Sequence, residues 1–226
     1  MQDADAPPDG EALLFLAGIA KRWGANEVLG GVDLDVEAGR LVRIKGANGA
    51  GKTTLLRIAA GLLRPDAGLV SLAGRDPERQ RRSFLRRLGF VSAGDRALYP
   101  RLSARRHLQL CADLALLGPQ ERRAAVDEAI AAFSLEEFAD RGSQRLSLGQ
   151  RQRVRLAMGF AHGPSVVLLD EPANSLDDDG IAALGGALER LRARGGAAVW
   201  CAPSATDPPL PFDERFVLTG GALVPE

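Results

Sequence analysis

Gly46-Ala47-Asn48-Gly49-Ala50-Gly51-Lys52-Thr53 fits the phosphate-binding pattern G-x-x-x-x-G-K-[ST] at every fixed position. The chemistry needs these residue types. Glycines let backbone N–H groups curl around phosphate oxygens with no Cβ in the way. The Lys52 ammonium can reach the β- and γ-phosphates of a nucleotide as a compact point charge. The Thr53 hydroxyl suits Mg2+. Asn48, Gly49, Ala50, Gly51, Lys52, Thr53 and Thr54 are therefore the expected nucleotide contacts. Leu41-Val42-Arg43-Ile44 reads as a strand entering the loop. Thr54 to Ala60 reads as a helix leaving it, with its N-terminus facing the phosphates.

A chain of 226 residues with 46% apolar content can bury one large α/β core or two small ones. The formal net charge is zero, so there is no global basic field and no nucleic-acid partner is expected. Cys111 and Cys201 form neither a metal-type spacing nor a disulfide framework, which points to a reducing cytoplasm. Residues 1–10 are acidic and Pro-containing, without the basic start and apolar run of a signal peptide, and are expected to form a flexible tail. No apolar run approaches bilayer length, so any membrane role must come through a partner.

The rest, residues 11–226, reads as a single composite domain. Ala12–Leu16, Glu27–Leu29 and Val32–Val36 read as strands of an N-terminal antiparallel β section. Gly68–Gly74 and Leu88–Val91 are further strands. Residues from about 97 to 160 turn helical, with apolar spacing over Arg105–Leu117, Arg122–Phe133 and Ser147–Phe160, and Ser147 suits an N-cap. Val166–Leu169 is a continuous apolar run, as in a buried parallel strand. Ile181–Arg194 is helical, Ala197–Cys201 is another buried strand, and Phe216–Val224 reads as a hairpin. The expected fold is α/β: a P-loop NTPase core with a parallel sheet, an N-terminal antiparallel section and a helical insertion.

A nucleoside triphosphatase also needs a carboxylate near Mg2+ and a group that activates water. Val166-Val167-Leu168-Leu169-Asp170-Glu171 offers both. Asp170, at the carboxyl end of a buried strand, is expected to hold Mg2+ together with Thr53. Glu171 is expected to polarise the attacking water, and Lys52 to assist catalysis.

Leu146-Ser147-Leu148-Gly149-Gln150 precedes that strand. With it, the chain resembles the ATP-binding subunit of an ATP-binding-cassette (ABC) transporter, from about Leu13 to Val224. The order agrees: phosphate loop, helical insertion, signature, then the Asp-Glu strand. The resemblance implies ATP and Mg2+ as ligands. It implies that Ser147, Gly149 and Gln150 meet ATP held by an opposite subunit, where a second helix N-terminus suits an anion. Leu148 stands where a glycine is common. Trp23 lies where the family stacks an aromatic ring on adenine; a half-buried core Trp is the alternative. Ser175-Leu176-Asp177 resembles a loop that touches the partner subunit, although Asp177-Asp178-Asp179-Gly180 also suits a plain helix start.

Two family elements are missing. The Gln that follows the Gly89-Phe90-Val91 strand is absent from Val91-Ser92-Ala93-Gly94-Asp95-Arg96, where Ser92 or Asp95 are the candidate substitutes. The His after Ala197–Cys201 is replaced by Ala202-Pro203-Ser204. His107 and His162 lie elsewhere, as a surface or packing residue and a helix end. ATP binding should survive these losses and hydrolysis should be slow, since one lost transition-state contact costs about 10²–10³ in rate.

Residues 97–103, with Tyr99 and Pro100, resemble part of a groove for a membrane permease's coupling helix and have an export-type character; ordinary packing fits as well. The Arg79–Arg87 stretch reads as a solvated helix face, with acidic lipid headgroups as the alternative contact. The resemblance thus implies a homodimer or heterodimer that powers an integral membrane permease, bound peripherally at the membrane's inner face. A non-transport ATP-dependent switch, or the weakly active half of a heterodimeric pair, is the alternative that the missing Gln and His favour.

Overall fold

The computed structural model describes residues 12–94, 98–203 and 210–226. The expected tail at residues 1–10, Asp95, Ala97 and Ser204 lie outside the described residues. Two sheets carry the architecture. Strands β1 (Ala12–Trp23), β2 (Asn26–Glu37) and β4 (Ala67–Leu72) form an antiparallel sheet in the order β2-β1-β4. Strands β3 (Leu41–Gly46), β5 (Leu88–Val91), β6 (Val166–Asp170), β7 (Ala197–Pro203), β8 (Glu214–Thr219) and β9 (Ala222–Pro225) form the second, in the order β5-β6-β7-β3-β8-β9. All its pairings are parallel except the β8–β9 hairpin.

The parallel strands are buried on both faces, and their alternation divides the core. Val167, Leu169, Ala198, Trp200 and Ala202 join one apolar cluster with helices α3 (Ala104–Leu114), α4 (Pro119–Ala132), α5 (Leu148–Phe160) and α6 (Asp178–Ala193). Val166, Leu168, Val199 and Cys201 point the other way, toward α1 (Lys52–Ala59) and the antiparallel sheet. This is the period-2 geometry of a pleated strand with cover on both sides. Each fully buried Val or Leu contributes roughly 1.5–3 kcal/mol, which is why such continuous apolar runs are legible in the sequence.

The expected strands Glu27–Leu29 and Val32–Val36 are one strand, β2. Gly30 and Gly31 lie inside it, at a point where the β1–β2 register shifts. Gly31 has φ +100°, which a side chain would strain. The Gly30 N–H donates to the Gly221 carbonyl at 2.9 Å, tying β2 to the β8–β9 turn. The glycines serve a contact between sheets, where the sequence suggested a break. The short helix α2 (Arg81–Leu85) leaves Arg81, Arg82 and Arg86 exposed, matching the solvated face expected for that stretch.

Candidate functional site

β3 delivers the chain to Gly46 at the carboxyl edge of the parallel sheet. A Cβ at Gly46 would sit 2.7 Å from the Leu218 carbonyl oxygen of β8, so only glycine lets the loop leave the strand there. Gly51 has φ +104°, and a Cβ on it would meet Val28 at 2.9 Å. Inside the turn the Ala50 N–H donates to the Ala47 carbonyl at 3.1 Å. Lys52 opens α1 and folds back. Its ammonium, almost fully buried, donates to the Gly46 and Ala47 carbonyls at 2.8 and 2.9 Å. These bonds hold the loop in a ring above α1, whose first-turn N–H groups have no intrahelical acceptor and suit an anion.

β6 brings Asp170 beside this loop. The Thr53 hydroxyl donates to Asp170 Oδ2 at 2.8 Å. Asp170 is 1% exposed, and its Oδ1 has no hydrogen-bond partner of standard geometry. Burial pushes its carboxyl above the usual carboxylate range; the Thr53 hydroxyl, the Ala93 amide and the Arg57 charge pull the other way. A hydroxyl, a carboxylate oxygen and a second, orphaned carboxylate oxygen form an all-oxygen donor set. That set fits a hard cation such as Mg2+, which takes one or two protein oxygens and completes its shell with water and phosphate.

Glu171 follows with φ +50°, a left-handed conformation that is rare outside glycine. Its N–H donates to the Cys201 carbonyl at 2.8 Å, and its Oε2 accepts from Asn174 Nδ2 at 2.8 Å. Ser175 is also left-handed, at φ +67°. Strain at two such residues, about 1–3 kcal/mol each, is typical of a loop whose geometry is held for function.

The phosphate loop, Trp23, Val28, Thr54 and Glu171 line one open cleft of about 330 Å3. Trp23 is 56% exposed, so it is no core residue. It stands at the end of β1 with the Lys21 ammonium 5.1 Å from its ring centroid. Ser147, Gly149 and Gln150 do not line this cleft. Ser147 caps α5, accepting from the Gln150 N–H at 3.1 Å, while Gln150 Oε1 accepts from the Ser147 N–H at 3.0 Å. A Cβ at Gly149 would lie 2.9 Å from the Ser175 carbonyl oxygen, and the neighbouring Leu148 is 49% exposed. Glu171 lies on the wall of a second cleft, of about 250 Å3, which it shares with Leu148, Arg151 and Ser175.

Asp177 serves as the N-cap of α6, accepting from the Gly180 N–H at 2.9 Å, and pairs with Arg153 at 2.6 Å. His107 is fully buried, not a surface residue. Its Nε2 accepts from the Tyr99 N–H at 2.8 Å and its Nδ1 donates to the Ser103 carbonyl at 2.8 Å. It thereby pins the segment before α3, where Tyr99 is 63% exposed. His162 follows α5 and bonds the Leu88 carbonyl at 3.0 Å, tying the helix end to β5.

The sequence reading missed Asn174, Gln152 and Arg155. Gln152 and Arg155 are almost fully buried on α5, three residues apart on one face. A polar pair at positions that helical spacing assigns to the core was the available signal.

No described helix is long and apolar enough to cross a membrane. Residues 29–174 match the family model described as ABC transporter. The sulfate/thiosulfate import ATP-binding protein CysA of Synechococcus elongatus is 39% identical over 171 residues, covering 76% of this chain and 49% of that protein. The chain therefore spans about half the length of that relative. That name specifies import, so the export-type character of the Tyr99-Pro100 segment gains no support from it. A solved structure of an ATP-binding subunit of an ABC transporter matches with a TM-score of 0.86 at 26% identity, covering 93% of this chain and 88% of that one. A dimeric ATP-binding cassette in a post-hydrolysis state, bound to ADP and Pi, matches with a TM-score of 0.80 at 26% identity, covering 93% of this chain and 96% of that one. With a matching phosphate loop, Asp-Glu strand, signature helix and overall fold, the chain belongs to the ABC transporter family, as an ATP-binding domain of that family.

Proposed function

We propose that two cassettes, this chain with a second copy or a related chain, close around ATP and Mg2+, hydrolyse it, and power an integral membrane permease from the membrane's inner face. The observation that carries this reading is Glu171, which lines both the phosphate-loop cleft and the cleft beside the signature helix. A carboxylate between the two is suited to act where ATP meets an opposing cassette.

The roles divide by chemistry. Trp23 stacks on the adenine. The Gly49, Gly51, Lys52 and Thr53 amides and the Lys52 ammonium take the phosphates, with Asn48, Ala50 and Thr54 shaping the loop. Thr53 and Asp170 would hold Mg2+, which would supply positive charge against the phosphates. Glu171 orients water and accepts its proton, with Asn174 fixing one carboxylate oxygen. Ser147 and Gln150 close the capping box of α5 between them, which leaves the remaining first-turn amides, that of Gly149 included, to meet the γ-phosphate on the opposing cassette.

Turnover is expected to be slow, because the Gln after β5 and the His after β7 are absent from Val91–Gly94 and Ala202-Pro203. The same absences favour a second reading: the weak half of a heterodimeric pair, or an ATP-dependent switch. Steady-state Mg-ATP turnover of the wild type beside Glu171→Gln and Lys52→Ala, with ATP binding measured in parallel, tests both. A wild type that turns over at least tenfold faster than Glu171→Gln supports the ATPase. Equal rates with intact binding support the switch or half-site.

A further inference from the structure

Beyond these roles, a buried chain of hydrogen bonds runs from the segment after β5 to the loop that carries Glu171. Arg155 donates through Nη2 to the Ser92 carbonyl and through Nη1 to Gln152 Oε1, the latter at 2.6 Å. Gln152 donates through Nε2 to the Pro172 carbonyl at 2.8 Å. Both side chains are 6% exposed. Pro172 is the residue after Glu171. The Glu171 N–H is fixed to β7 through Cys201, so this loop is held from β7 on one side and from α5 on the other.

We propose that Arg155 and Gln152 are positioning residues, a relay that sets the Glu171 loop from the main chain at Ser92. This deepens the ATPase reading and rests on Glu171 as the group that orients water. Ser92 lies just past β5, where the expected side-chain link is missing, and here the link is made from the opposite direction by a guanidinium reaching out of α5. A planar fork with fixed donor directions bridges a main-chain carbonyl and a side-chain amide in one set geometry; a lysine ammonium reaches them without that fixed direction, and an aliphatic residue makes neither bond. Burying a guanidinium is costly unless its donors are engaged, so its retention inside the helix face argues for a geometric task. Gln152 transmits in one sense only: its oxygen accepts from Arg155 and its amide nitrogen donates to Pro172. Breaking either link releases the same loop.

The test compares Arg155→Met, Arg155→Lys, Gln152→Leu and the double variant Gln152→Leu/Arg155→Met by ATP affinity, turnover and amide hydrogen exchange. Arg155→Met is expected to lower kcat about tenfold with ATP affinity within about twofold. The double variant should be no slower than Arg155→Met alone, because one broken link already opens the chain. Arg155→Lys should recover part of the rate. Exchange at the Asn174 and Leu176 amides should quicken at least tenfold in Arg155→Met, while Leu168 and Leu169 in β6 keep their protection. Unchanged kcat and exchange, multiplicative effects in the double variant, or affinity falling in step with kcat would each overturn the relay. If the wild type itself turns over no faster than Glu171→Gln, the ATPase reading fails, and the exchange pattern alone decides whether the relay holds the loop.

Discussion

The Thr53 hydroxyl and Asp170 Oδ2, 117 residues apart in sequence, meet at 2.8 Å where the first turn of α1 touches the end of β6. Asp170 Oδ1 is buried without a hydrogen bond of standard geometry, and burial raises the carboxyl's pKa. The folded protein therefore carries a carboxylate that is costly without its ligand.

Asp170→Asn is accordingly expected to stabilise the nucleotide-free protein while removing the effect of Mg2+. Each kcal/mol of relieved burial cost corresponds to about 2–4 °C in Tm for a chain of this size. Thermal scans with ATP, with and without Mg2+, provide the check. A lower Tm for the variant, or a Mg2+-dependent shift as large as in the wild type, would contradict the assignment.

Glu171 tests stored strain. At φ +50° a glycine is the less strained residue. Glu171→Gly should hold or raise Tm, by up to about 1 kcal/mol of stability, while turnover drops by at least about 10². Denaturant unfolding beside ATPase assays measures both. A clear loss of stability would mean that the Asn174 bond outweighs the strain.

The two tryptophans separate the adenine contact from the core. Trp23 is 56% exposed, whereas Trp200 is 1% exposed and packs edge-on against Phe212 at 5.7 Å. Nucleotide binding should quench fluorescence that vanishes in Trp23→Phe. Trp23→Ala should weaken ATP binding about 5- to 100-fold, the range for losing one base–aromatic stack of about 1–3 kcal/mol. Trp23→Phe should retain most of the affinity. Full quenching in Trp23→Phe would move the nucleotide away from β1.

Burial holds His107 and His162 below the usual histidine range. They are neutral in the fold and more readily protonated when unfolded. Below about pH 6.5 the unfolded chain therefore binds more protons, and stability declines from there toward the lower folded pKa. Asp170, with a raised pKa, acts in the opposite sense. The difference in Tm between wild type and His107→Gln isolates the histidine. It should narrow as pH drops from 7 to 5, because the wild type loses the Tyr99 bond to Nε2 on protonation. A constant gap would mean that His107 does not titrate in this range.

Much of the molecule follows from sequence alone, because the determinants are local. The glycine spacing with Lys52 and Thr53 defines a loop whose backbone conformation few sequences can adopt. The apolar runs Val166–Leu169 and Ala197–Cys201 can be stable only as strands covered on both faces. Ser147 and Gln150, three residues apart, form their capping box from neighbouring atoms. Apart from the pairing of Thr53 with Asp170, which the two motifs implied, contacts between residues far apart in sequence were not legible. Gly30 and Gly31 read as a break until Gly221 is seen docking on them. Trp23 and His107 each carried two readings that spacing does not separate: one proves exposed beside the phosphate loop, the other buried against Tyr99 and Ser103. The Arg155–Gln152 relay and the placing of Glu171 between two clefts depend on how α5, β6 and the segment after β5 pack. Side-chain hydrogen bonds across such distances are set by tertiary packing, for which one-dimensional spacing carries no signal.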